Sequence, residues 1–202
     1  MKIFFDLDCT LINSKMRLYS LFQELVSASN LSFDEYWNLK KKSINHAIIL
    51  REKFYFDDNS IYNFDNYWLQ LIETDRFLKL DTPIHGTGEF LLTLKEKGFE
   101  LFVVTARQDK VKAIKQIEDF GWLGIFNEIL VTERKKSKLE LMHKVLKGSK
   151  KGWMIGDTGK DIQAGKKLSL KTAAVLTGFL NKKVLISYTP DLILDDVTNF
   201  KI

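Results

Sequence analysis

The 202-residue sequence predicts an α/β fold, a doubly wound parallel sheet with a small α-helical cap domain. Three observations favour this fold. Short apolar runs recur with little polar alternation, as in strands that are buried on both faces of a sheet. Charged segments with helical spacing separate most of these runs. One long segment without Pro or Gly interrupts the alternation near the start, which accounts for the cap.

Six segments are expected to form the sheet, because each is rich in Ile, Val, Leu or Phe. They are 2–7, 99–105, 127–132, 151–157, 171–177 and 190–196. The segments at 89–97, 108–120, 137–147 and 160–168 are expected to be helices. In the second of these, for example, Val111, Ile114 and Ile117 recur every three residues and would share one helix face.

The first two predicted strands are separated by residues 8–98, whereas a simple crossover between parallel strands needs only about a dozen or two. Residues 14–80 contain neither Pro nor Gly and are rich in aromatic side chains at helical spacing. We therefore expect residues 14–81 to form a helical cap. Residues 1–13 and 82–202 would form the α/β core.

The composition excludes several classes of protein. The net charge is +5, but the lysines are scattered along the chain as short pairs, which is typical of a solvated surface. We therefore expect no nucleic-acid partner and a mild attraction for anionic substrates. No apolar stretch approaches the roughly 20 residues of a membrane span, so no membrane association is expected. The single cysteine, Cys9, agrees with a reducing compartment, and we expect a cytoplasmic protein whose oligomeric state the sequence leaves open.

Polar side chains lie at the carboxyl ends of four predicted strands, where open α/β sheets bind their ligands. They are Asp6 and Asp8, then Thr105 and Arg107, then Lys138, then Asp157 and Asp161. Several carboxylates in one cleft would repel each other unless a cation neutralised them, and hard oxygen ligands point to Mg²⁺. A divalent cation, a lysine and a hydroxyl together make a receptor for phosphate.

The same residues stand in recognisable motifs. "DLDCTL", "VVTAR", the lysine ahead of a helix and "GDTGKD" resemble the four motifs of the haloacid dehalogenase-like hydrolase superfamily, in the same order. The resemblance covers the whole chain and implies a Rossmann-like core. The stretch "GDTGKDIQAGKKLSLKTAAVLTGF" resembles the phosphoglycolate phosphatase-like branch. The insertion after the first motif matches the position of the helical cap of that branch.

The resemblance implies a role for each motif residue. Asp6 would be the nucleophile that forms an aspartyl phosphate, and Asp8 would protonate the leaving alcohol and then activate water. Thr105 and Lys138 would bind the phosphate oxygens.

The resemblance also implies a set of metal ligands. Mg²⁺ would be bound by Asp6, by the backbone carbonyl of Asp8 and by Asp157. Asp161 would be a further ligand or would support the others.

Three details refine the comparison with the family pattern. Cys9 stands where many relatives have Gly, which narrows the backbone freedom of the turn. Lys135 and Lys136 compete for the role of phosphate lysine. We prefer Lys138, because its spacing to the apolar residues that follow places it at a helix start. Asp8 argues against dehalogenation, since superfamily members that cleave carbon–halogen bonds lack this second acidic residue.

Other polar residues are expected to have minor roles. Arg107 is expected to lie on the surface or to support the site. In the cap, Arg17, His46, Arg51 and Lys53 could reach a substrate, although His46 is expected to be structural or on the surface.

The function that the sequence favours is a Mg²⁺-dependent phosphatase that hydrolyses a small-metabolite phosphomonoester. Sugar phosphates, phosphoglycolate-like acids and nucleoside monophosphates all stay open as substrates. A phosphomutase of the same superfamily is the nearest alternative. A protein of another class, which binds a phosphorylated ligand or a partner without turnover, is the second alternative.

Overall fold

The computed structural model describes residues 1–148 and 151–202. Within those residues the main sheet has six strands in the order β5-β4-β1-β6-β7-β8, and neighbouring strands are parallel. A second, antiparallel pair is formed by β2 and β3. The strands are β1 (Lys2–Phe5), β2 (Ile12–Asn13), β3 (Thr82–Pro83), β4 (Glu100–Thr105), β5 (Glu128–Val131), β6 (Gly152–Gly156), β7 (Lys171–Val175) and β8 (Leu192–Leu194).

Helices occupy the segments between most strands. They are α1 (Lys15–Leu25), α2 (Phe33–Lys41), α3 (His46–Phe54), α4 (Asp58–Leu71), α5 (Asp75–Leu78), α6 (Thr87–Glu96), α7 (Lys110–Asp119), α8 (Lys138–Leu146), α9 (Gly159–Lys167) and α10 (Lys182–Ile186). The six predicted strands and the four predicted core helices are present. The β2–β3 pair and α10 were not predicted. In the part of the chain that the structure describes, no helix has the length and apolarity to span a bilayer.

The sheet is covered on both faces, because successive side chains of a strand point to opposite sides. On one side, Phe5 packs edge-on against Phe90 of α6, with ring centroids 6.2 Å apart. On the other side, Phe4 stacks on Phe102 at 5.0 Å, in a cluster that includes Met142 of α8. Two buried clusters on opposite faces of a parallel sheet confirm the predicted α/β doubly wound class.

The helices α1 to α5 share an aromatic core of their own. Phe22 of α1 lies 4.9 Å from Tyr36 of α2, and Phe64 of α4 lies 6.0 Å from Phe22. His46 is part of this core, since its Nε2 is 2.8 Å from the Tyr36 hydroxyl. Burial lowers the pKa of His46 well below its ordinary value, so the ring is neutral. His46 therefore has a structural position.

The β2–β3 pair brings together the two ends of the inserted segment. Ile12 pairs with Pro83 and Asn13 with Thr82. The helices α1 to α5 consequently leave and rejoin the sheet at one place, just beyond the carboxyl end of β1. The division into a core of residues 1–13 and 82–202 and a cap of residues 14–81 stays a prediction, which this pairing supports.

Candidate active site

Three buried carboxylates meet at the carboxyl ends of two neighbouring strands. Asp6 follows β1, Asp157 follows β6, and Asp161 lies in the first turn of α9. Each residue is less than a tenth exposed, and one carboxylate oxygen from each lies within 4.8 Å of the others. Three oxygen ligands without nitrogen or sulfur are the donor set that Mg²⁺ prefers, so these residues fit a divalent cation.

Lys138 bridges two of these carboxylates. Its Nζ lies 2.6 Å from Asp6 Oδ1 and 2.6 Å from Asp161 Oδ1. The two competing lysines are both exposed: Lys135 Nζ lies 3.8 Å from Glu133, and Lys136 lies at the rim of the cavity that these carboxylates line. Of the three lysines, the structure therefore brings only Lys138 to the carboxylates.

The local sequence fixes where Lys138 stands. Ser137 is the N-cap of α8, and its Oγ accepts a hydrogen bond from the backbone N–H of Glu140. The Glu140 carboxylate accepts in return from the backbone N–H of Ser137, at 2.6 Å. This capping box starts the helix at Lys138, as the spacing predicted.

The electrostatics of the group show an excess of negative charge. Burial raises the pKa of Asp6 to about 7, and Asp161 adds to the rise while Lys138 opposes it. The pKa of Asp157 is raised well above its ordinary value by burial and by the other two carboxylates. Burial lowers the pKa of Lys138, but Asp161 and Asp6 outweigh burial and raise it. The single positive charge of Lys138 thus does not neutralise the three carboxylates, as expected of a site that binds a cation.

Two glycines allow the backbone to approach the carboxylates. A Cβ on Gly178 would lie 1.8 Å from Asp157 Oδ2, which accepts a hydrogen bond from the backbone N–H of Phe179 at 2.9 Å. A Cβ on Gly156 would lie 2.5 Å from the Asp161 side chain. Any larger residue at either place would displace a carboxylate.

The side chain of Asp8 points to a different set of partners. The Ser14 hydroxyl donates to Asp8 Oδ1 at 2.7 Å, and Arg17 donates to the same oxygen. Arg107 donates from Nε to Oδ2 at 2.9 Å and from its terminal nitrogen to Oδ1 at 2.8 Å. Burial raises the pKa of Asp8, but Arg107 and Arg17 outweigh it and hold this pKa below its ordinary value. The predicted metal contact of Asp8, through its backbone carbonyl, stays a prediction.

The two arginines share a second carboxylate, that of Asp81. Arg17 Nε donates to Asp81 at 2.9 Å, and a terminal nitrogen of Arg107 donates to Asp81 at 3.1 Å. Both arginine side chains are 3% exposed. The surface alternative for Arg107 is therefore wrong, because burial makes it a support for Asp8. Sequence reasoning missed Ser14 and Asp81, and the only signal for Arg107 was its position two residues after a strand-end threonine.

Thr105 ends β4 and is buried beside the site. Its Oγ1 accepts a hydrogen bond from the backbone N–H of Arg107 at 3.4 Å. Thr105 lines the same cavity as Asp6, Asp8 and Lys138, so the structure brings the four predicted catalytic and phosphate-binding residues together.

This cavity has a volume of about 730 Å³ and extends from the carboxylates to the inserted helices. Of the polar residues considered there, Arg17 lines the cavity. His46 lies in the aromatic core, Arg51 pairs with Asp58 at the surface, and Lys53 is exposed.

The inserted helices are fixed to the core beside the cavity. Glu73, which follows α4, accepts hydrogen bonds from the backbone N–H groups of Gln108 and Asp109, both at 2.9 Å. Lys112 donates to the Glu73 carbonyl at 2.9 Å. A carboxylate at the N-terminus of α7 is stabilised by backbone N–H groups that have no partner within the helix, and by the helix dipole.

Comparison with known proteins identifies the family. The profile of the family described as haloacid dehalogenase-like hydrolase matches residues 3–175. This chain belongs to that family. The match confirms the predicted superfamily, and with it the prediction of a hydrolase.

Individual relatives agree with this assignment. A phosphoglycolate phosphatase of Aquifex aeolicus is 29% identical over an alignment of 208 positions, which covers 95% of this chain and 91% of that protein. A pyrophosphatase PpaX of Halalkalibacterium halodurans is 32% identical over an alignment of 123 positions, which covers 57% of each chain. Among solved structures, a haloacid dehalogenase-like hydrolase of Streptococcus pneumoniae superimposes with a TM-score of 0.77 at 17% identity, covering 96% of this chain and 93% of that one. The phosphoglycolate phosphatase supports the predicted branch.

Proposed function

We propose that this protein is a Mg²⁺-dependent phosphatase that hydrolyses the phosphomonoester of a small molecule through an aspartyl phosphate on Asp6. The observation that carries the proposal is the contact of Lys138 with both Asp6 and Asp161, inside a group of three buried carboxylates. The relatives named phosphatase and pyrophosphatase support the same chemistry, since both activities break a bond to phosphorus.

Asp6 acts as the nucleophile in the first step. One of its carboxylate oxygens attacks phosphorus, and the bond between phosphorus and the leaving oxygen breaks. The ammonium of Lys138, 2.6 Å from Asp6, neutralises charge on the phosphoryl oxygens, and the hydroxyl of Thr105 binds one of them.

Asp8 moves the protons. Because the two arginines keep Asp8 ionised, in the first step it accepts the proton of the monoanionic phosphate ester and passes it to the leaving oxygen. In the second step it takes a proton from the water that attacks the aspartyl phosphate. Phosphate leaves and Asp6 is restored. The hydrogen bonds from Arg107 and Ser14 fix the Asp8 carboxylate in one orientation for both transfers.

The metal requirement follows from the donor set. Asp6, Asp157 and Asp161 would hold Mg²⁺, together with the backbone carbonyl of Asp8. When bound, the cation supplies charge that offsets the phosphoryl oxygens in the transition state.

The test measures phosphate release from p-nitrophenyl phosphate and from a panel of small phosphomonoesters, with Mg²⁺ or with EDTA. We expect release with Mg²⁺ and loss of at least about a thousandfold in Asp6→Asn. The matched control is Asp65→Asn, which changes an exposed aspartate of α4 and should keep the wild-type rate. Mass spectrometry of Asp8→Asn after brief reaction with p-nitrophenyl phosphate, whose leaving group departs without a proton, should find one phosphoryl group on the peptide that contains Asp6.

Three results would contradict the proposal. Release that survives EDTA would exclude the metal requirement, and full activity of Asp6→Asn would exclude the nucleophile. No release from any compound would exclude the phosphatase. Transfer of the phosphoryl group to an added sugar, faster than to water, would instead support the mutase alternative.

A further inference from the structure

We propose that the leaving group of the substrate is uncharged and largely apolar, and that it binds against the inserted helices. Four side chains, here called the cap wall, line the cavity on that side: Leu18, Trp68, Leu69 and Ile72. This inference rests on the proposed function, and it narrows the substrate class of the same site. It separates this chain from an enzyme for phosphoglycolate or pyrophosphate, because both of those leaving groups carry their own negative charge.

The in-line geometry of phosphoryl transfer determines where the leaving group lies. The leaving oxygen departs on the side of phosphorus opposite the nucleophile Asp6, beside the group that protonates it, Asp8. Asp8 is bonded to Arg17, and a terminal nitrogen of Arg17 donates to the carbonyl of Ile72 at 3.3 Å. A leaving group that passes Asp8 therefore extends toward the cap wall.

The charges on that side are already balanced. Among the described residues, Arg17 is the only cation that the inserted helices contribute to the cavity lining, and Arg107 is its neighbour from the core. Both are paired with Asp8 and with Asp81. One terminal nitrogen of Arg107 is buried without a hydrogen-bond partner among the described residues, but the charge of this guanidinium is already offset by Asp8 and Asp81. A carboxylate or second phosphate of a substrate would therefore add a negative charge that no cation of this side offsets, and desolvating it against apolar side chains would be unfavourable.

Glu73 strengthens this argument. It is the remaining charged residue of the inserted segment in the lining, and it carries a negative charge. Its carboxylate is fixed by the backbone N–H groups of Gln108 and Asp109, so it cannot turn away from an anionic leaving group without losing both hydrogen bonds.

Three exposed lysines also line the cavity, but they belong to the core. Lys136 precedes α8, and Lys160 and Lys167 lie on α9. Exposed lysines attract an anionic substrate toward the site from solution. If the inference were wrong, these lysines would be the groups that bind a charged leaving group. The test must therefore distinguish binding at the apolar cap wall from binding at the core lysines.

A matched pair of substrates makes that separation. Butyl phosphate and 3-(phosphonooxy)propanoate have chains of similar length, but the second ends in a carboxylate. With Mg²⁺-loaded wild type we expect kcat/KM to be at least tenfold higher for butyl phosphate. Across ethyl, propyl and butyl phosphate it should rise about fourfold for each CH₂, the factor that corresponds to about 0.8 kcal/mol per buried CH₂. Phosphoglycolate and pyrophosphate should be slower than butyl phosphate.

A variant pair locates the effect on the cap wall. Leu69→Lys adds a cation to the wall and should lower the preference for butyl phosphate at least fivefold, whereas Leu92→Lys should leave it unchanged. Leu92 is a suitable control because it lies on α6, is 47% exposed and does not line the cavity. Circular dichroism and the midpoint of thermal unfolding show whether both variants are folded.

The outcomes separate this inference from the proposed function. Phosphate release that is faster from the carboxylate-bearing ester, or from phosphoglycolate or pyrophosphate, would overturn the inference and leave the phosphatase intact. An unchanged preference in Leu69→Lys would also overturn it. If no compound is hydrolysed, calorimetry with Asp6→Asn decides: butylphosphonate should bind at least tenfold more tightly than 3-phosphonopropanoate, and equal binding would overturn the inference as well.

Discussion

Replacing Arg107 by Met tests whether the buried ion pairs beside the site stabilise the fold. The guanidinium makes two hydrogen bonds to Asp8, at 2.9 and 2.8 Å, and one to Asp81, at 3.1 Å. Met occupies a similar volume and carries no charge, so the substitution removes the interactions with little change in packing volume. It leaves two carboxylates with one arginine, Arg17, between them.

The expected loss follows from two opposing effects. Removing one partner of a buried ion pair costs about 3–5 kcal/mol, because the other charge stays buried without compensation. However, the third guanidinium nitrogen of Arg107 is buried and has no hydrogen-bond partner among the described residues. Removing this unsatisfied donor should stabilise the fold by about 1 kcal/mol or more and so offset part of the loss. We therefore expect the free energy of unfolding to fall by about 2–4 kcal/mol.

Urea unfolding at pH 7.5, followed by circular dichroism, measures this loss. The control is Arg51→Met, because Arg51 pairs with Asp58 at the surface, where the two side chains are 55% and 87% exposed. Exposed pairs contribute about 0–1 kcal/mol, so this variant should lie near the wild type. If Arg107→Met lost no more than Arg51→Met, the buried pairs would not stabilise the fold and the reasoning would be refuted.

Two further predictions concern titration and catalysis. Burial lowers the pKa of His46 well below its ordinary value of about 6.5. As pH falls, His46 therefore takes up a proton in the unfolded chain but not in the folded one, and the free energy of unfolding decreases. Between pH 7.5 and 5.5 the free energy of unfolding of the wild type should fall by up to about 1.4 kcal/mol more than that of His46→Gln, while His143→Gln, at an exposed position, should follow the wild type. An equal dependence of the free energy of unfolding on pH in all three proteins would contradict the prediction. Lys138→Ala should lower kcat by about 10²–10³, and Lys135→Ala by less than about twofold, in the phosphate-release assay. Similar losses in both would mean that the wrong lysine was assigned.

The sheet could be predicted because its strands are buried on both faces, so each appears in the sequence as a short continuous apolar run. The β2–β3 pair could not be predicted, since two residues per strand show no periodicity. The helix α10 has five residues, Lys182–Ile186, and begins at an Asn181 cap. A helix of one turn carries too few apolar positions to show a helical pattern.

The meeting of the proposed catalytic residues at one place could be predicted for a related reason. Parallel strands place their carboxyl ends at one edge, so polar residues that follow β1, β4 and β6 must lie close together. The network around Asp8 follows no such rule. Arg17 and Asp81 are 64 residues apart in the chain and meet only because the inserted helices return to the place they left. Nothing local in the sequence marks such a contact.

Cys9 shows how a sequence departure can be compensated. Its φ is +59°, in the left-handed region where Gly is favoured. For a residue with a Cβ, such as Cys9, this conformation costs about 1 kcal/mol. Cys9 is fully buried and belongs to the same apolar cluster as Leu18 and Trp37 of the inserted helices. A side chain at this turn therefore adds packing between the loop after β1 and the inserted helices. Gly could not supply this packing, which offsets the backbone cost.

The contacts of Asp8 connect its orientation to the position of the inserted helices. Ser14 and Arg17, at the start of the inserted segment, bind one oxygen of Asp8, and Arg107 of the core binds both. A movement of α1 away from the core would take Arg17 with it and leave the Asp8 carboxylate with fewer restraints. Charge-assisted hydrogen bonds contribute about 1.5–3 kcal/mol each, so the observed position of the inserted helices and the oriented carboxylate stabilise one another. In the proposed mechanism the inserted helices thus do more than cover the cavity, because they also help to position the group that transfers the proton.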